Sequence, residues 1–344
     1  MSHNPAEGGT TGMFSPKLLM LTFLPLCSIS CGLESGTDFR GKYVQAVAVL
    51  QVEMKHSPAW SLDISPDDRE IAYAGSNIAI WNLAQGRERI IDPSAHGDVQ
   101  TIKFSPDGRY LAYGGSAGVV TVAEVATGGH ETSLEGDMGM IRSVDWSANG
   151  EMILASGNWG RVTVWDVSSE AIIGRFQGYK DYPSFRALFS SDDRLVYAGQ
   201  GDGTIRAWDV GSGKEVWNVD AEGSVWEIAL CENGKSLLSS HIDGSVILWD
   251  LRTKQELQRM QLRGAWLRTG SVVGSMSITG DGQRVVLPSS IGYIELWDIK
   301  TWSMLECFKA HPGETTIWET SISHDGKWFA SSGEDGTIRI WRFR

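Results

Sequence analysis

Seven histidines, at positions 3, 56, 96, 130, 241, 311 and 324, are the side chains from which a metal centre or an acid–base pair would most readily be built. They show no His-x-x-x-His or His-Glu arrangement that would set two ligands on one face. Gly201-Asp202-Gly203 resembles a phosphate loop only superficially, because the Lys and the following helix that give such a loop its anion affinity are missing. Gly211-Ser212-Gly213 fits a nucleophile elbow only by bending the pattern. The acidic turns Asp67-Asp68 and Asp192-Asp193 could hold a cation weakly, although solvated turn carboxylates are the commoner outcome. Cys27, Cys31, Cys231 and Cys307 have no metal-ligand spacing and no disulfide framework, and Cys231 and Cys307 read as small buried hydrophobes. The expectation is a protein without catalytic residues, metal or cofactor, whose chemistry is recognition.

Charge narrows the partner. Asp and Glu number 42 against 30 Lys and Arg, a formal net charge of −12 in 344 residues. Residues 1–30 contribute only Glu7 and Lys17, so the rest of the chain carries the whole excess. An acidic surface repels phosphate backbones, which argues against nucleic acid and leaves other proteins as the expected partners.

The elements that must position any recognition surface are set by a repeat. Trp81, Ala123, Trp165, Trp208, Trp249, Trp297 and Trp341 close equivalent short apolar runs, four of them followed directly by Asp, at intervals of 42, 42, 43, 41, 48 and 44. A tight turn recurs in phase with them, starting at positions 65, 105, 147, 190, 231, 279 and 323, as in Ser105-Pro106-Asp107-Gly108 and Ser323-His324-Asp325-Gly326. Pro, Asp, Asn and Gly tolerate the dihedrals of such turns. Two strands lie between turn and anchor, a third precedes the turn and a fourth follows the anchor. Four short antiparallel strands repeated seven times predict an all-β, seven-bladed β-propeller over residues 43–344.

These residues resemble the WD-repeat (WD40) family of β-propellers, over nearly everything outside residues 1–42. The resemblance implies a non-catalytic, monomeric platform for protein–protein interaction. It also implies that a strand from the N-terminal side closes the ring, and residues 43–53 are placed to supply it beside the last run, Thr337-Ile338-Arg339-Ile340-Trp341. A hydrogen-bonded set of His, Ser or Thr, Asp and Trp is a further implication. Only the seventh repeat has all four members, His311, Ser331, Asp335 and Trp341, and these are expected to serve the scaffold. Asp202 with Trp208 and Asp243 with Trp249 keep the spacing without a matching His.

Two stretches are candidate docking sites. The residue five before each turn should open the first strand at the rim of the central channel: Trp60, Gln100, Arg142, Phe185, Trp226, Gly274 and Trp318. Trp, Phe and Arg dominate binding hot spots. The second stretch is the long interval after Trp249, where residues 252–268 read either as a basic docking connection carrying Arg259, Arg263 and Arg268 with an apolar tip at Trp266, or as a solvated outer strand with a longer loop. The leading expectation is a protein-interaction scaffold. A propeller enzyme or small-ligand binder using the channel is the alternative, disfavoured by the lack of clustered His, Glu or Lys at the rim.

Residues 1–30 read as an export leader: Lys17, apolar residues at 18–26 and a small-residue exit, with Met13 as an alternative start. The run is shorter than the roughly 18 residues a spanning helix takes. Ile29-Ser30-Cys31 resembles the end of a lipoprotein signal, which makes Cys31 the candidate for lipid attachment, although Ser28 departs from the usual aliphatic residue. Residues 31–42 would then be a tether and the cell envelope the location. A cytosolic scaffold with an uncleaved leader is the other reading.

Overall fold

The computed structural model describes residues 40–51, 59–75, 77–92, 98–231, 234–262, 275–288 and 292–344. The leader, Cys31, Gly274, Arg263, Trp266 and Arg268 lie outside them.

Seven four-stranded antiparallel sheets, six of them meanders, form the blades of a propeller. Blade 4 is typical, with Ser184–Phe189 innermost, then Leu195–Gln200, Thr204–Asp209 and, outermost, Glu215–Asp220. The sequence shows why the strands sit in this order. In Leu195–Gln200 five of six residues are buried, because a middle strand is covered on both faces by its neighbouring blades. The outermost strand alternates toward solvent, leaving Trp217 as its one buried residue. Each seam between adjacent blades holds one apolar cluster. At the seam of blades 3 and 4, Val162, Val164 and Phe176 pack on Ala187, Val196 and Trp208. At the seam of blades 6 and 7, Ile294, Leu296 and Phe308 pack on Phe329 and Trp341.

Blade 7 closes the ring with chain from both ends. Its order is Ile317–Ile322, Trp328–Gly333, Thr337–Phe343 and then the N-terminal strand Val44–Gln51. Val44 pairs with Phe343 and Gln51 with Thr337. The Glu306 carboxylate of blade 6 accepts the backbone N–H groups of Lys42, Tyr43 and Val44, which fixes where this strand enters.

Two expectations need correction. Cys231 is buried, but Cys307 is exposed, because it lies on an outermost strand where alternate residues meet water. Arg259 belongs to an outermost strand, Gln255–Gln261, and not to a connection. Its guanidinium is held by Glu256 at 2.7 Å and Glu222 at 3.2 Å.

Candidate functional site

Antiparallel pairing brings the start of every first strand, the turn between second and third strands, and the connection from one blade to the next onto one face. The predicted rim residues sit there, and the backbone gives the reason they point outward. In blades 2, 3, 4, 5 and 7 the pairing of first and second strands slips at this residue: Ser184 faces Gln200 and Arg186 faces Gly199, leaving Phe185 unpaired between them. Gln100, Arg142, Trp226 and Trp318 occupy the same bulge. A bulge leaves one residue unpaired, bends the strand locally and re-aims that side chain.

The rim side chains are half-buried and meet across seams. Trp318 of blade 7 and Trp60 of blade 1 stand with ring centroids 4.4 Å apart. Phe185 of blade 4 and Trp226 of blade 5 are 4.5 Å apart. The Arg142 guanidinium lies 5.8 Å from the Phe185 ring centroid and its Nε donates to Asn158 Oδ1 at 2.6 Å. Gln100 is half-buried without an aromatic neighbour of this kind among the described residues.

Three residues that sequence reasoning passed over extend the arc. Trp159, in the turn after Met152–Gly157, is 49% exposed, and Tyr179 and Tyr182, in the connection to blade 4, are 55% and 46% exposed. The two tyrosines meet edge to face at 6.0 Å, and the Trp159 carbonyl accepts from Gln177 Nε2 beside them. The missed signal was an aromatic in a turn where three other repeats place Asp, at Asp202, Asp243 and Asp335.

Below the rim, the first strands line the channel with charge. Lys103 meets Asp63 at 2.9 Å and Arg186 meets Glu227 at 3.0 Å, with Asp145 and Glu319 close enough to feel both cations. Burial pushes the Glu227 carboxyl up to about 7, against the pull of Arg186, and raises Glu319 and Asp145 for the same reason. The sequence hid this cluster because its members sit at two different offsets from the turns, one and three residues past the rim position.

The polar set of blade 7 is a continuous chain. His311 Nδ1 lies 3.0 Å from Asp335 Oδ1, His311 Nε2 lies 2.9 Å from Ser331 Oγ, and Trp341 Nε1 donates to Ser331 Oγ at 3.0 Å. Blade 5 builds an equivalent that the sequence reading missed. His241, at the end of its second strand, contacts Ser239 Oγ at 2.9 Å, and Trp249 Nε1 donates to the same oxygen at 2.8 Å. The corresponding position in blade 7 is Gly333, where a Cβ would fall 2.3 Å from His311 Nδ1. The imidazole therefore enters from the connection in one blade and from the strand in the other.

On the opposite face the acidic turns are committed to the scaffold. Asp68 accepts the N–H groups of His324 and Asp325 in blade 7, and Asp193 accepts that of Ala148 in blade 3. A groove of about 320 Å³ between blades 2 and 3, lined by Pro106, Trp146 and Asn149 among others, also opens on that face. Among the described residues no three His, Cys, Asp or Glu side chains are grouped to hold a metal ion.

The family model for the WD domain, G-beta repeat, matches residues 88–122, 128–166, 172–209, 213–250 and 302–342. The chain belongs to the WD-repeat family. Among curated relatives, this WD-repeat chain is 25% identical over 211 residues to Autophagy-related protein 16 of Arabidopsis thaliana, covering 61% of the chain and 40% of the relative. It is 26% identical over 207 residues to WD repeat-containing protein 44 of Xenopus laevis, covering 58% and 22%. It is 24% identical over 208 residues to Serine-threonine kinase receptor-associated protein of Gallus gallus, covering 59% and 55%. The matched region thus spans from about a fifth to about half of these relatives.

Proposed function

We propose that this WD-repeat propeller is a non-catalytic platform that docks partner proteins on its rim face. The observation that carries the reading is that Trp159, Tyr179 and Tyr182, each about half exposed, lie on the same face as the Phe185–Trp226 pair and Arg142. Large aromatics offer much contact area for little lost side-chain freedom, and they concentrate binding energy. One relative is named for association with a receptor kinase, which is a protein–protein interaction.

Affinity capture with the wild-type chain and with Trp60→Ala/Trp226→Ala/Trp318→Ala, and separately Trp159→Ala/Tyr179→Ala/Tyr182→Ala, tests this. Partners should be lost from at least one variant at an unchanged melting midpoint. Partners retained by both would end the rim reading.

We further propose that the chain is exported and lipid-modified at Cys31, on the support of residues 13–31 alone. A clickable fatty acid should label the wild type and not Cys31→Ala. A soluble cytosolic chain with Met1 or Met13 intact would instead place the platform in the cytosol.

A further inference from the structure

We propose that the rim admits one cationic side chain, an arginine or lysine from an extended segment of the partner, whose charge is met inside the channel by Glu319. This rests on the rim being the docking face and adds the chemistry of what docks.

The argument starts from a charge count in a confined space. Among the described residues Asp63, Asp145, Glu227 and Glu319 face Lys103 and Arg186, so carboxylates there exceed cations by two. The two short ion pairs, Lys103 with Asp63 and Arg186 with Glu227, use both cations. Among the described residues, Asp145 and Glu319 are left without an ion pair of their own. Asp145 is satisfied in part by the backbone N–H of Phe189 at 3.0 Å. Glu319 is 8% exposed and shares the nearby Ser275 hydroxyl with Glu227, besides the more distant pull of Lys103 and Arg186. A buried carboxylate short of a counter-ion is costly to ionise, and a cation brought to it recovers that cost.

Placement selects the route. Glu319 is the residue after Trp318, one step inward from the Trp318–Trp60 pair, so a cation reaching it passes those ring faces. Aromatic faces attract a desolvated guanidinium or ammonium. The opposite side of the mouth already holds a guanidinium in this manner, Arg142 over Phe185, which leaves the blade 7 and blade 1 side for the incoming charge. The indole N–H groups of Trp60 and Trp318 are shielded from solvent and have no acceptor among the described residues. A change in ring tilt would present them to backbone carbonyls of an extended segment. A protein of net charge −12 also draws a basic segment from a distance.

The test uses the full chain and pools of ten-residue peptides, random except for a central arginine, lysine, citrulline, norleucine or glutamate. Arginine and lysine pools should be retained over citrulline and norleucine. The best retained peptide should bind Glu319→Gln more than about tenfold more weakly, because a buried charge pair loses one member. Gln keeps a hydrogen-bonding partner for Ser275, and an unchanged melting midpoint confirms that the variant folds. Equal retention of norleucine pools, or equal affinity for Glu319→Gln, overturns the cation assignment. If such binding is nevertheless lost in Trp60→Ala/Trp318→Ala, the docking face itself stands. Agmatine displacing the peptide at the peptide's own concentration would mean a free cation is recognised, and would overturn the assignment to a partner segment.

Discussion

At the scale of single residues, the turns on the face opposite the rim show how neighbouring repeats compensate for each other. Asp68 and Asp193 adopt left-handed backbone, φ 59° and 58°, where the equivalent residues Gly108, Gly150, Gly234, Gly282 and Gly326 do so without a Cβ penalty. Each Asp reaches a backbone N–H of the blade before it, at His324 or Ala148. In blades 1 and 2 the matching donor position is Pro66 or Pro106, which has no N–H, and the next blade supplies Gly108 or Gly150. The sequence displayed both residue types, but only the seam shows that they are coupled. Asp193→Ala should lose about 1–2 kcal/mol, combining left-handed strain with lost hydrogen bonds, and Asp193→Gly should lose less. Urea denaturation gives the order directly, and Ala as stable as Gly would contradict it. His241 carries a second prediction. Gln200 holds its place in blade 4 and donates to Ser184 at 3.2 Å, so His241→Gln should be tolerated. His241→Leu should cost about 1–3 kcal/mol by leaving buried polar groups of Ser239 and its neighbours less well satisfied. Equal melting midpoints for the two variants would refute the compensation.

At the scale of elements, the N-terminal strand matters most. Val44–Gln51 is far in sequence from the strand it pairs with, and that pairing with Thr337–Phe343 gives the last blade its fourth strand. Val44 is also fully buried in the cluster that contains Trp341. Without it the strand Thr337–Phe343 becomes an open edge able to pair with other chains. A chain lacking residues 43–51 should unfold at clearly lower urea and should self-associate. An unchanged midpoint would show that the blade is complete without it. This closure was expected from the resemblance to the family, which placed residues 43–53 beside Thr337–Trp341. The bulges at the rim were not legible, since Phe185 and Arg186 read as ordinary successive strand residues until their pairing partners are known.

At the scale of the whole molecule, two buried charge systems respond to pH with opposite sign. Burial lowers the pKa of His241 and His311, so their contribution to stability is lost as the medium falls through the ordinary histidine value of 6.5. Burial raises Glu227 to about 7 from an ordinary 4.5, and Glu319 and Asp145 move the same way. A carboxyl raised in the folded state stabilises fully below its unfolded value and loses that contribution as pH climbs to about 7. Glu227→Gln should therefore flatten the fall in melting midpoint between pH 5 and pH 8. Parallel curves for wild type and variant would exclude the channel cluster as its source.

The closing strand came from the family resemblance, while the sequence by itself determined the repeat, the number of blades and the residues that open each first strand. Those features depend on local periodicity and turn chemistry, which neighbouring residues carry together. Tertiary structure alone decided which of these residues meet. The Trp60–Trp318 pair spans the closure of the ring, and the channel carboxylates come from blades 1, 3, 5 and 7. Their shared burial is a property of seven strands converging on one axis, and no single repeat contains it.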